Sequence, residues 1–467
     1  MTKNANLWYY ICRKTIQGIQ KDMKKLLTLI FAILMSLSVF GCGETPDNTG
    51  GNPEGYVKGT EGLVYMVNSD NKSATFNGIG TATGTEITIA SHYEGVPVTK
   101  IKRAALYENE TIVKVNIPKQ MKVIGPSAFS KATKLESIVF ASGIELEEIG
   151  AYSFKDCSSL QNLEIPSSVK LLGEKAFDGC PNFKLNDYEG GSYLGSSTNP
   201  YIVLMRATNS DVTNLKVSKD CRIIYADSFY NCTKLENITF ESDTVLTTIG
   251  NNAFSGCVSL KEVTIPTSVE KIGASAFGAR RTNLTVDNEG CSSLTKVTFK
   301  ENSKLTSLGE HAFDKCTSLT EVVGFENTKL TEVTSYTFFE CTSLQTIKLP
   351  KSVQILNKWV FARCKKLNVD IFATNGSLQK IEQGVFREMP SYDYIVIPKS
   401  VTYIGDLCFA HGSKPNKIIY LLNDNVSELH PNWNVYDGNG NRLTYYVYSE
   451  TSKTGCWRYV NGMPTPW

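Results

Sequence analysis

One phenylalanine position recurs along this sequence at a spacing regular enough to serve as a ruler. It falls at Phe129, Phe154, Phe177, Phe229, Phe254, Phe277, Phe313, Phe338, Phe361, Phe386 and Phe409, with Leu106 one step earlier. The steps from Leu106 are 23, 25, 23, 52, 25, 23, 36, 25, 23, 25 and 23 residues. Short and long steps alternate, with two larger gaps. That pattern is a repeat array, and it overrides the inference of about three globular domains that 467 residues would otherwise suggest.

The frame around the ruler is clearest at Leu163-x-Ile165-Pro166, Val169, Leu172-Gly173, Ala176-Phe177 and Cys180. It returns at Val115–Phe129, Val263–Phe277, Ile347–Cys364 and Ile395–Phe409. The long units lack the proline and gain two residues: Phe140 to Ile149, Phe240 to Ile249 and Phe299 to Leu308 are each nine apart, whereas Ile165 to Leu172 is seven. Alternating apolar and polar residues have the period of a half-buried strand. Proline ends the ladder where no N–H is needed. Glycine after the second apolar pair suits a tight corner with φ > 0. Phe and Cys three apart share one face of a short helical turn and point inward. One unit has no opposite wall for its apolar face, so units must stack into a solenoid. Twelve ruler positions at ~4.8 Å each give a body of roughly 60 Å.

Seven of the thirteen cysteines (157, 180, 232, 257, 316, 341 and 364) sit three residues after a ruler Phe. A column of this kind reads as small buried hydrophobes. Stacked side chains run parallel, which disfavours the disulfide dihedral. No histidine accompanies them, and CxxC spacing is absent, so no metal site is expected. Cys221, Cys291, Cys408 and Cys456 fall outside the column.

The flanks divide the rest. Residues 1–22 read as an upstream extension ahead of Met23. Residues 23–41 read as a signal peptide: Lys24-Lys25, then an uncharged, mostly apolar stretch from Leu26 to Phe40, too short for an ordinary membrane span. Val39-Phe40-Gly41-Cys42 resembles a bacterial lipobox with an unusually bulky Phe40, which implies cleavage before Cys42 and its lipidation. Residues 42–55 carry almost no apolar side chains and form a flexible tether. Formal charge is +2, but residues 1–41 hold six basic residues and one acid, so the remainder carries −3. A nearly neutral chain argues against nucleic acid, which needs a dense basic footprint.

The frame resembles the BspA-type leucine-rich repeats, a bacterial class with a 23-residue period. The resemblance covers residues 96–420, with an inserted hairpin within 181–220 that begins at Tyr193-Leu194-Gly195 and resumes at Asn199-Pro200. It implies a leucine-rich repeat solenoid of parallel strands with short helical turns, a right-handed superhelix capped at both ends. Residues 56–95 would be the strand-rich N-terminal cap and 421–467 an aromatic C-terminal cap. In the latter, residues 443–448 and 456–460 read as a hairpin around Ser452-Lys453-Thr454-Gly455. The resemblance further implies adhesion: a lipid-anchored protein of the bacterial cell envelope, on the outer membrane and facing outward, touching the membrane only through its anchor. Host matrix proteins such as fibronectin or fibrinogen, or other cells, would be its partners.

Function then rests on surfaces. Outward positions of the strands, among them Asn116, Glu164, Thr239, Thr264, Thr298, Lys348 and Tyr394, form a polar column of mixed charge suited to a large partner, though an ordinary solvated sheet explains any one of them. The alternative is glycan capture by C-terminal aromatics, with Trp433 and Trp457 stacking on sugars. Catalytic motifs fail: there is no G-x-S-x-G, H-E-x-x-H or phosphate-binding loop, and the four histidines share no frame. Ser69-Asp70-Asn71 and Lys453-Thr454-Gly455 mimic penicillin-recognising motifs in the wrong order. Asp437 to Asn441 starts like a calcium loop, but Arg442 stands where glycine is required. The reading is non-enzymatic, with no cofactor. A hydrolase would need convergent titratable groups in a pocket at the 181–220 insertion.

Overall fold

The computed structural model describes residues 56–282, 285–368, 377–389, 394–410, 418–422, 444–461 and 463–467. The extension, the signal peptide, Cys42 and the tether lie outside them. Within them the chain winds as a β-solenoid of about 13 coils with almost no helix.

Each regular coil has three sides. The first is the apolar-x-apolar strand, which pairs in parallel with the same strand of the next coil and forms a front ladder. Lys114–Ile117 pairs with Ser137–Phe140, and Glu262–Ile265 with Lys296–Phe299. The second is a two-residue strand such as Val123–Ile124 or Thr248–Ile249, also paired in parallel from coil to coil as a rim ladder. The third is the turn that carries the ruler. All eleven ruler phenylalanines are buried. Neighbouring rings stack nearly parallel, at 5.0 Å for Phe129–Phe154, 5.2 Å for Phe254–Phe277 and 5.5 Å for Phe313–Phe338.

The turns are not helical, contrary to the sequence expectation; the one helix among the described residues is a 3-10 turn at Phe325–Asn327. Residues two before and two after the ruler adopt the left-handed conformation, for example Ser127 (φ 53°) and Lys131 (φ 61°), or Asp227 (φ 58°) and Asn231 (φ 57°). That geometry aims alternate N–H groups at the next coil and denies them to a helix. Ser127, Phe129 and Lys131 donate to the carbonyls of Ala151, Ser153 and Lys155 at 2.7–2.8 Å. The turns therefore form a third hydrogen-bonded ribbon.

The corner glycines are also used differently from the expectation. Gly173 and Gly309 are not among the residues with positive φ. A Cβ on Gly173 would collide with the backbone nitrogen of Ala151, and one on Gly309 with that of Ala274. These glycines permit close approach of one coil to its predecessor.

The front ladder comes in two stretches before residue 350: four strands from Glu86–Thr88 to Asn162–Leu163, and six from Asn214–Val217 to Thr346–Ile347. Between them lies the insertion, where Gly191–Leu194 pairs antiparallel with both Asn186–Tyr188 and Val203–Ala207. The buried side chains fall into two clusters that meet there. Near the C-terminus the expected hairpin is displaced. Thr444–Tyr448 pairs in parallel with Cys456–Val460, and the antiparallel partner of the latter is Met463–Pro466. The reversal follows Asn461, at φ 52°, in an Asn-Gly dipeptide of the kind tight hairpins favour.

Candidate binding surface

The front ladder places every second side chain outward, and strand register lines these up. Asn214, Asn237, Glu262, Lys296, Glu321 and Thr346 occupy one row across six strands. Neighbours in the row bond to each other: Asn237 donates to Asn214 at 2.8 Å, and Lys296 pairs with Glu321 at 2.6 Å. The pairing holds the long side chains and leaves a face of nearly balanced charge. Exposed pairs of this sort add little stability, so they mainly set the chemistry of the face.

Thr239, Thr264 and Thr298 lie on this six-stranded sheet, the first two exposed and the third half-buried. Lys348 follows its last strand and is exposed. Asn116 lies on the four-stranded sheet, half-buried and donating to Thr88 at 3.0 Å. Tyr394 belongs to a separate five-stranded sheet and packs its ring edge-on to Tyr420 at 5.7 Å. Thr264 and Thr298 are cross-strand partners, with Thr239 on the strand paired beside Thr264, while the other predicted residues are spread along the rod. Trp433 and Cys42 lie outside the described residues. Trp457 is fully buried; its Nε1 donates to the Leu421 carbonyl at 3.0 Å and its ring lies 4.9 Å from Tyr420. A ring enclosed in this way has no open face for a sugar, so the stacking role expected of Trp457 is replaced by a packing role.

Where the four-stranded sheet ends, the insertion rises beside it and encloses a cleft of about 770 Å³. Val139 and Leu194 supply apolar lining, and Asn162, Glu164, Lys184 and Asn186 the polar groups. Ser197, on the insertion loop, donates to Glu164 at 3.2 Å. Glu164, itself exposed, is the predicted residue that lines this cleft. Glu164 and Lys184 are the charged residues of this lining. Sequence reasoning missed Lys184, Asn186 and Ser197 because they lie off the repeat frame.

The thiol column is built as donors to the coil before. Cys157 Sγ donates to the Phe129 carbonyl at 3.0 Å, and Cys341 to Phe313 at 3.1 Å. Cys291 belongs to this column, contrary to the sequence reading: its Sγ donates to the Phe254 carbonyl at 3.2 Å. The signal was available, since Cys291-x-x-Leu294 repeats Cys257-x-x-Leu260 and Cys316-x-x-Leu319. None of the eleven described cysteines is in a disulfide. Burial pushes the Cys221 and Cys408 thiols up to about 12, so they stay protonated.

The sequence profile described as BspA type Leucine rich repeat region matches six copies, over residues 76–186, 207–288 and 287–416, well over half of the chain. Among solved structures, the chain is similar to a leucine-rich repeat protein from Bacteroides ovatus: 23% identity, 82% of this chain and 98% of that one covered, TM-score 0.41. It is similar to a leucine rich cell surface protein from Faecalibacterium prausnitzii at 20% identity, covering 81% and 97%, TM-score 0.28. A leucine-rich repeat protein from Eubacterium ventriosum matches at 18% identity, covering 81% and 97%, TM-score 0.33. No curated protein matches the chain.

Proposed function

Because this chain belongs to the BspA-type leucine-rich repeat family, whose members are often adhesin-like surface proteins, we propose that it is a non-enzymatic adhesin that holds a macromolecular partner against its front ladder. The six-stranded row from Asn214 to Thr346 carries this reading. A continuous, internally paired polar face offers area and matched hydrogen bonding, which suits a protein surface better than a small molecule. The partner is a host matrix protein such as fibronectin or fibrinogen, or the surface of another cell. Cys42 carries the lipid and anchors the chain to the outer membrane, facing outward.

Adhesion of producing cells to matrix-coated plates tests the face. Thr239→Arg combined with Thr264→Arg should reduce adhesion tenfold or more while the melting temperature of the purified chain stays constant. Unchanged adhesion removes the front ladder from the proposal. Incorporation of labelled palmitate, abolished by Cys42→Ala, tests the anchor separately.

A further inference from the structure

On the turn ribbon, away from the front ladder, one corner has a chemistry the fold does not require. The position two before the ruler is left-handed in coil after coil, and most earlier coils fill it with Ser127, Lys175, Asp227, Asn252 or Ser275. Tyr152 (φ 57°) is an isolated ring there, whereas three successive coils hold His311 (φ 59°), Tyr336 (φ 59°) and Trp359 (φ 62°), ahead of Gly384 and Leu407. Bulky rings are poorly suited to that conformation, and such outliers are found where the surroundings need that side chain. The rings stack, His311 on Tyr336 at 4.6 Å and Tyr336 on Trp359 at 6.2 Å. Phe339 stands edge-on to Tyr336 at 5.5 Å.

Three guanidinium groups join them. Arg281 and Arg363 lie 5.5 and 5.6 Å from the centre of Phe339, and Arg387 lies 5.2 Å from that of Trp359. Each has a carboxylate partner: Asp314 for Arg281, Glu340 and Glu388 for Arg363, and Glu388 for Arg387. A concavity of about 240 Å³ opens on Tyr336, Phe339, Trp359, Ala362, Arg363, Arg387 and Glu388.

We infer that this corner is a binding site for one neutral hexose unit of a glycan. The size fits, being below the range of about 300–1,000 Å³ usual for larger ligands. The charge fits, since every guanidinium already has a carboxylate and no excess remains to select an anion. The chemistry fits: the half-exposed edges of Tyr336, Phe339 and Trp359 meet the C–H faces of a pyranose, and Arg363, Arg387 and Glu388 offer paired donors and acceptors to vicinal hydroxyls. A peptide is disfavoured, because the backbone donors are committed within the ribbon. Trp359, Phe361 and Arg363 donate to the carbonyls of Gln383, Val385 and Arg387 at 2.8–3.1 Å. The inference is independent of the front-ladder reading and survives its failure.

Saturation-transfer NMR on the full chain, with maltotriose, cellotriose and mannotriose as neutral probes and sialyllactose as the charged one, tests it. At least one neutral probe should give transfer at about 10 mM or below. Trp359→Ala and Glu388→Gln should each weaken that binding tenfold or more, while Thr264→Arg leaves it unchanged. The site is overturned if no neutral probe binds, if sialyllactose alone binds, or if either corner variant folds and keeps its affinity. Should Trp359→Ala fail to fold, the milder Glu388→Gln decides.

Discussion

The repeat is interrupted twice, and the two interruptions behave differently. At residues 181–220 the front ladder stops at Asn162–Leu163 and resumes at Asn214–Val217, and the rim ladder stops at Leu171–Leu172. The aromatic stack breaks too: Phe177 meets Tyr225, tilted by 45° at 6.2 Å, in place of Phe229. At residues 278–290 nothing breaks. Glu262–Ile265 pairs directly with Lys296–Phe299, Lys271–Ile272 with Ser307–Leu308, and Phe277 stacks on Phe313 at 5.5 Å and 4°. The difference lies in where the extra residues enter. The second insertion leaves after Ala279 has made its ribbon bond to Asp314 and rejoins at Cys291, so the excursion around Arg281–Thr282 and Thr285–Val286 hangs outside the coil. The first enters at a strand position and substitutes an antiparallel hairpin, which takes no place in the front ladder and starts a new rim ladder where Val203–Ala207 pairs in parallel with Ile223–Ile224. An insertion in a turn is absorbed, whereas one in a strand divides the core and opens a cleft.

The largest test of this contrast is the aromatic stack. Phe313→Ala, in the unbroken run, should cost about 3–5 kcal/mol in a urea titration. Phe177→Ala, beside the break, should fall at the lower end, about 3 kcal/mol, because one side of its ring can relax. Equal losses would mean the division is only geometric. Next is the rejoining point. Leu294→Ala should cost about 2–4 kcal/mol, whereas Val286→Ala, on the excursion and 39% exposed, should stay within about 0.5 kcal/mol. A third variant sharpens the break itself. The Tyr225 hydroxyl accepts the Phe177 N–H at 3.2 Å, so Tyr225→Phe should cost about 1–2 kcal/mol by leaving a buried donor unpaired.

The smallest effect is in pH. Glu241 accepts from the Lys219 N–H at 2.8 Å and from the insertion's Tyr188 hydroxyl at 2.7 Å. The Lys219 backbone bond first, then Tyr188 and Lys216, hold its carboxyl down at about 2. A depressed carboxyl stabilises the fold above its unfolded pKa, and that contribution fades as pH falls from the ordinary carboxylate range toward about 2. Protease nicking within 181–220 should therefore rise over that window, and Glu241→Gln should flatten the rise.

Much of the architecture was legible because the repeat states it eleven times over. The ruler, the inward cysteines and the outward strand positions all follow from spacing, and burial agrees at each ruler Phe. What the spacing could not give was backbone conformation in the turns. Phe129 and Ala132, three apart, do close a local turn bond, but every second N–H, those of Ser127, Phe129 and Lys131, bonds to the next coil, a choice made by tertiary contact and not by local propensity. The corner glycines misled for the same reason, since their constraint is a neighbour's backbone. The binding surface was legible only as far as the repeat reached: Thr239 and Thr264 were placed correctly on the outer face, while Lys184, Asn186 and the Trp359 corner depend on departures from the pattern.

The thiol donors have a consequence for how the chain meets oxidants. A sulfhydryl that is enclosed, protonated and already committed to a carbonyl does not readily reach an oxidant or a second sulfur. The rod is thus indifferent to the redox poise of its surroundings while its coils stay closed. Cys180 and Cys232, half-exposed on either side of the first interruption, are the places where that indifference ends. Alkylation kinetics starting from those two would chart how the rod comes apart.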